Sequence, residues 1–130
     1  MTIQKIDLVP EAIASEIGTM SPQEIDLLPF GTIHVDLTGT VLGYNSAEEK
    51  IANRSRKNVV GRNFFKDVAP CTRVRQFHGA FEEGVKRKSL NEVFDFTFRF
   101  PTGTKEVRIR MIYTEMTTAS VWIFVTPLSG

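Results

Sequence analysis

The sequence predicts an α+β domain in which a helical lead precedes a five-stranded antiparallel sheet, with a run of helices inserted after the second strand. Three observations carry this. Hydrophobic residues recur with a period of two over residues 30–44, 94–113 and 119–125; helix start signals stand at Ser21, Asn45, Ser55 and Asn63; and the last strand is apolar on both faces. At 130 residues, 42% hydrophobic and 24% charged, the chain has the size and composition of one globular domain.

The elements follow in order. Glu11 to Ile17 is a short helical candidate, and Ser21-Pro22-Gln23-Glu24 is a capping box with proline at the first helical position, so a second helix runs from there to about Leu28, before Pro29. Residues 1–28 are therefore expected to form an N-terminal helical cap on a core of 29–130. Phe30 to Asp36 and Thr40 to Tyr44 flank the turn Leu37-Thr38-Gly39 and read as a β-hairpin. Asn45, Ser55 and Asn63 can each N-cap a short helix, and a longer helix is expected from about Val74 to Lys88. Phe94, Phe96, Phe98 and Phe100 then alternate with Asp95, Thr97 and Arg99. Beyond the turn at Pro101-Thr102-Gly103, Val107, Ile109, Met111 and Tyr113 repeat the alternation.

Ala119 to Val125 closes the chain with Val121, Ile123 and Val125 on one side and Trp122 and Phe124 on the other, so both faces must be covered. The middle helices are expected over one face and the N-terminal helices over Trp122 and Phe124.

Charge and cysteine usage exclude several classes of function. A net charge of +1 gives no general attraction to nucleic acid or to an anionic membrane. The clusters Arg54, Arg56, Lys57, Arg62 and Lys86, Arg87, Lys88 are interleaved with acids and read as solvated helix faces. No stretch approaches the ~20 apolar residues of a membrane span, and no basic-flanked apolar leader is visible, so the expected setting is cytoplasmic. One cysteine leaves no intramolecular disulfide, and with two histidines it gives no zinc-site spacing. The sequence names no partner, and a monomer is the default.

That cysteine, Cys71, follows Pro70 in the run Asn63-Phe64-Phe65-Lys66-Asp67-Val68-Ala69-Pro70-Cys71-Thr72. Taken alone, a cysteine beside phenylalanines is an inert buried side chain. Glu48, three residues after Asn45, reads as the second half of a capping box, Tyr44 as an ordinary strand end, and Arg54 as a solvated charge. His34 and His78 fall on a strand face and a helix face.

Together with Gly43-Tyr44-Asn45-Ser46-Ala47-Glu48, however, the run resembles the photoactive yellow proteins, blue-light receptors of the PAS fold whose cysteine carries p-coumaric acid (4-hydroxycinnamic acid) as a thioester. The resemblance extends from Pro29 to Val125. It implies the strand order 2-1-5-4-3, with the two-faced last strand in the middle. It also implies Cys71 as the attachment point, Tyr44 and Glu48 as hydrogen-bond donors to the phenolic oxygen, Arg54 as a lid, and Ala69, Pro70 and Phe98 as lining. The function implied is trans–cis isomerisation of the chromophore, proton transfer from Glu48 to the phenolate, and partial unfolding as the signal, with no enzyme activity.

The residue types suit that chemistry. A phenol titrates near pH ~10, so holding it ionised at neutral pH takes roughly 4 kcal/mol. Burial opposes this, and two charge-assisted hydrogen bonds supply it. Where the best-known members have a threonine bonded to the tyrosine, this chain has Ala52, and a loop that carries a methionine in them reads Pro101-Thr102-Gly103-Thr104 here. A chromophore-free PAS module sensing thiols or ligands, and a cysteine enzyme with His34 or His78 as base, are the alternatives.

Overall fold

The computed structural model describes residues 9–116 and 118–128, so the first eight residues of the expected cap lie outside it. Helix α1 spans Glu11–Glu16 and runs into a 3₁₀ turn, Ile17–Thr19; α2 spans Pro22–Asp26. The capping box is present, with Ser21 Oγ accepting from Glu24 N at 3.1 Å and Glu24 Oε1 accepting from Ser21 N at 2.8 Å. α2 stops at Asp26, two residues before the expected end, because the N–H groups of Leu27 and Leu28 close tight turns onto Glu24 and Ile25.

Strands β1 (Gly31–Val35) and β2 (Val41–Tyr44) form the expected hairpin. Its turn is held by the Asp36 carboxylate, which accepts from Thr38 N and Thr40 N, and by Gly39 at φ +94°, a conformation that favours glycine. Helix α3 (Ser46–Ala52) follows, capped by Asn45 and ended by Asn53 in the left-handed region. Asn63 also caps, its side chain accepting from Phe65 N and Lys66 N, but the turn it opens, Phe64–Val68, is a π-helix. Ser55 precedes only a 3₁₀ turn and makes no side-chain cap. The expected helix over 74–88 is divided: a π-turn, Arg75–Gly79, leads into α4 (Ala80–Arg87). That wider turn belongs to the segment that carries Phe77, fully buried among Phe64, Phe65, Phe94, Phe96 and Phe98.

Strands β3 (Asn91–Phe100), β4 (Gly103–Thr114) and β5 (Ser120–Pro127) complete one antiparallel sheet in the order β2-β1-β5-β4-β3. β3 and β4 are longer than their apolar alternation because pairing continues to the turn, where Phe100 faces Gly103. β5 is central, and its residues Val121 to Val125 are all buried. On the inner face lies the main core, including Ile33, Phe64, Phe65, Phe77, Phe98, Ile109 and Ile123; on the outer face Ala14, Ile17 and Phe30 pack with Trp122 and Phe124. The sheet is thus covered on both sides, as its last strand requires. Among the described residues, no helix is long and apolar enough to cross a membrane.

Candidate functional site

β2 ends in buried Tyr44, and Asn45 turns the chain into α3. Asn45 Oδ1 accepts from Glu48 N at 3.1 Å and from Thr32 N at 2.9 Å; its Nδ2 donates to Ile25 O and Phe30 O. The N–H of Asn45 is committed to Thr32 O at 3.1 Å, so no capping box forms and the Glu48 carboxyl turns inward. Glu48 is 2% exposed, and its Oε1 is buried with no hydrogen-bond partner. Burial pushes its pKa up to about 8, with the positive charge of Lys105 acting in the opposite sense. Burial thus favours the protonated carboxyl, the form that has a hydrogen bond to give.

Room for that carboxyl comes from β1. A Cβ at position 31 would overlap Glu48 Oε1, so only glycine leaves the space. Tyr44 is held well above the usual tyrosine range by burial first and by Glu48 second, while the Arg54 charge opposes both. Glu48 and Arg54 are thus both close enough to act on Tyr44.

A cleft of about 660 Å³ is lined by Ala52, Arg54, Val68, Ala69, Cys71 and Phe100, among others including Pro70. Ala52 and Ala69 also belong to the main buried core, of which Tyr44 is a member. Cys71 is half-buried in this wall. Its position is set from both sides: the buried pair Phe64–Phe65 anchors the preceding π-turn, Pro70 opens the 3₁₀ turn Pro70–Thr72, and Thr72 Oγ1 donates to Ala69 O at 2.6 Å. Arg54 Nη1 donates to Val68 O at 2.6 Å, which places the guanidinium against the cleft wall.

The cleft gathers Ala52, Arg54, Ala69, Pro70 and Cys71; Tyr44 and Glu48 do not line it, and Tyr44, which feels the charges of Glu48 and Arg54, lines a cleft on the outer face of the sheet. Phe98 stands one layer behind: fully buried, it stacks on Phe100 with ring centroids 5.4 Å apart, and Phe100 is the ring that lines the cleft. Neither histidine takes part. His34 lies on the outer face of the sheet, stacked on Trp122 at 3.7 Å and hydrogen-bonded to Ser120 Oγ at 2.7 Å, in a separate cleft of about 460 Å³. His78 stacks on Phe65 and faces Glu82. No three metal-ligating side chains gather among the described residues.

Two residues of the site escaped the sequence reading. Gly31 could have been found as a glycine inside a strand pattern, which marks a close approach. Lys105 could have been found as a charge in register with Val107, Ile109 and Met111, the apolar face of its strand.

A sheet of this order with helices packed over its inner face defines a PAS domain, and residues 20–125 match the PAS fold family. Solved PAS domains of low identity share the architecture, among them one from an HTR-like protein of Haloarcula marismortui, with a TM-score of 0.65 and 12% identity over 91% of this chain and 97% of that one. Within the fold, the chain belongs to the photoactive yellow protein family. It is 40% identical over 123 residues to the photoactive yellow protein of Rhodothalassium salexigens, covering 95% of this chain and 98% of that one. To that of Halochromatium salexigens it is 41% identical over 116 residues, covering 89% and 92%. The photoactive yellow protein domain of the sensor histidine kinase Ppr from Rhodospirillum centenum superposes with a TM-score of 0.80 at 40% identity, covering 85% of this chain and 96% of that one.

Proposed function

We propose that this chain is a blue-light receptor in which Cys71 holds a p-coumaroyl group as a thioester and Tyr44 and Glu48 hold its phenolic oxygen. The observation that carries the reading is a fully buried carboxyl with an unpartnered oxygen, whose charge acts on a buried tyrosine that also feels Arg54, a residue of the cleft walled by the chain's one cysteine. A buried polar atom without a partner is costly in an ordinary core, and a ligand oxygen at this point gives the pair the anion it is built to receive.

In forming the thioester, the Cys71 sulfur attacks the carbonyl carbon of an activated p-coumaric ester; the thiol proton and the activating group leave together. The bound group supplies a double bond that light isomerises and a phenolic oxygen whose proton affinity changes with its surroundings. Tyr44 and Glu48 donate hydrogen bonds to one negative charge, and the half-buried Arg54 walls the cleft beside it. Glu48 is the nearest acid. Once its proton leaves, a carboxylate remains where burial, net of the opposing Lys105 charge, raises its pKa to about 8, and that charge costs several kcal/mol.

The helix carrying that charge is tied to the N-terminal cap. Asn45 Nδ2 donates to Ile25 O at 3.0 Å, Ser46 N and Oγ both donate to Asp26, and Arg56 Nη2 reaches Asp26 at 2.9 Å. A shift of α3 therefore strains the contacts holding α2, and the cap, docked by one apolar face, is the part that loosens. A downstream signalling protein reads that change; a solved relative that is a domain of a sensor histidine kinase supports a signalling role.

The test is to mix the protein with an activated p-coumaric ester, and to record its mass and visible absorption. A single added p-coumaroyl group, a visible band and the loss of both in Cys71→Ala are the expected results. A colourless protein with an unmodified, reactive Cys71 would overturn the assignment in favour of a thiol or ligand sensor. The cysteine-enzyme alternative lacks the histidine base it calls for, since neither His34 nor His78 lines the cleft at Cys71.

A further inference from the structure

We propose that the cleft on the outer face of the sheet is a further binding site, one that takes a neutral, planar aromatic or heteroaromatic ring as a third layer on the Trp122–His34 stack, between the sheet and the N-terminal cap.

The stack runs across the strands. Gly43 on β2, His34 on β1, Trp122 on β5 and Ile112 on β4 pair in register, so they form one row on the outer face. The rings of His34 and Trp122 lie 3.7 Å apart and within 3° of parallel. Each is fixed at its edge: His34 Nε2 is 2.7 Å from Ser120 Oγ, and Trp122 Nε1 donates to Thr114 Oγ1 at 3.1 Å. Trp122 has Ile112 beside it on β4, whereas the ring face of His34 turned from Trp122 looks toward β2, where Gly43 carries no side chain. The stack ends there in an open slot.

Nothing in the backbone asks for that glycine. Gly43 is not in the left-handed region, so the bulge at Leu42, where the β1–β2 register shifts, does not require it. Crowding does not require it either. Beyond the chain neighbours, a Cβ at position 43 would meet among the described residues only the Cβ of His34, at 3.6 Å, an ordinary contact. Gly31 is the opposite case, since a Cβ there would overlap Glu48. A glycine inside a strand weakens it, and what Gly43 leaves in return is room against an aromatic face.

The surroundings define the ligand. The cleft measures about 460 Å³, a usual size for a small-molecule site; the sheet contributes His34, Gly43 and Trp122 to it, and the cap Met20, Pro22 and Ile25. Its charged lining residues, Asp26 and Arg56, are paired with each other at 2.9 Å, and Arg56 is also held by Glu49. Burial pushes the His34 pKa down to about 4, so the imidazole is uncharged at neutral pH. With no unpaired charge in the lining, an ion loses its hydration for little return, while a neutral ring gains both burial and stacking. Leu42, Val60 and Met116 add exposed apolar surface that a ligand covers. Because sheet and cap both line the cleft, an occupant ties one to the other. Cys71 belongs to the inner face, so the site is independent of any chromophore.

The experiment uses the full chain without chromophore and two neutral probes of similar size, planar indole and non-planar cyclooctanol. Trp122 is the one tryptophan, so its ring N–H gives a single proton NMR signal, and the His34 ring signals are assigned by their absence in His34→Leu. Indole should shift both sets saturably and bind several-fold more tightly than cyclooctanol. Gly43→Val fills the slot and should weaken indole binding by about tenfold, while unfolding at no lower urea concentration than wild type. His34→Leu should weaken indole binding by a similar factor, and His34→Phe, which keeps a ring, should restore it. Indole should also slow amide exchange over residues 20–26 of the cap. Equal binding of the two probes, undiminished indole binding in Gly43→Val, or no shift at millimolar indole overturns the proposal. A Gly43→Val chain less stable than wild type would show that the slot is not open, and unchanged exchange in the cap that no ring bridges it to the sheet; either result refutes the site.

Discussion

Glu48→Gln offers the sharpest test of the site because its effect on the apoprotein can be worked out without any chromophore. In the folded chain the carboxyl has a pKa of about 8, against an ordinary 4.5. A carboxyl whose pKa is raised on folding contributes fully below its unfolded value and becomes a liability as pH climbs toward its folded value. From near pH 5 to near pH 8 that liability grows by about 3 kcal/mol, and it levels off above the folded pKa. Glutamine has the same shape and no titration, so the variant should gain on the wild type by about 3 kcal/mol over this interval while the two converge in acid. Urea unfolding of both proteins at several pH values, with the slope of the transition checked for constancy, measures the difference. A difference that stays flat between pH 5 and pH 8 would show that Glu48 is solvated, and the argument for a protonated buried donor would fall with it.

Two further substitutions probe the same pocket. Gly31→Ala places a methyl group where Glu48 Oε1 sits, and should destabilise the domain by about 1–3 kcal/mol in urea unfolding; stability within a few tenths of wild type would show the carboxyl free to move aside. Ala52→Thr supplies a hydroxyl in the core that also holds Tyr44; if it bonds the tyrosine, it should lower the apparent pKa of the loaded pigment and shift its absorption to shorter wavelength. A pH titration of the visible band checks it, and an unchanged or higher value in the threonine variant would mean that another group orients Tyr44.

The mechanical link from site to cap rests on a small set of bonds. Asn45 alone connects the start of β1, the start of α3 and the end of α2, and the Asp26–Ser46–Arg56 cluster repeats the connection at the surface. Exposed ion pairs of this sort contribute little individually, so the buried Asn45 bonds are the stronger part of the link.

By itself the sequence determined the elements whose cause is local or periodic. The capping box at Ser21, the hairpin turn around Gly39, the caps at Asn45 and Asn63, and the alternation on β3 and β4 are set by residues near one another in the chain, and the apolar run of β5 required a central strand. The motif around Cys71 named the family. Tertiary structure alone decided what depends on residues far apart. The split of the 74–88 helix follows from packing Phe77 among rings of β3 and the π-turn, and the missing cap at Ser55 from a turn too short to need one. Phe100, two residues nearer the β3–β4 turn on the same face, lines the cleft with Pro101 and Thr102, while Phe98 is held among Phe77, Phe96 and Phe100. Above all, the state of Glu48 was not legible from its neighbours in sequence, which suggested a cap. Its pKa is raised by burial, the carboxyl lying against Gly31 on β1, and this is opposed by the charge of Lys105 on β4; the solvation of a charge is a property of the volume around it.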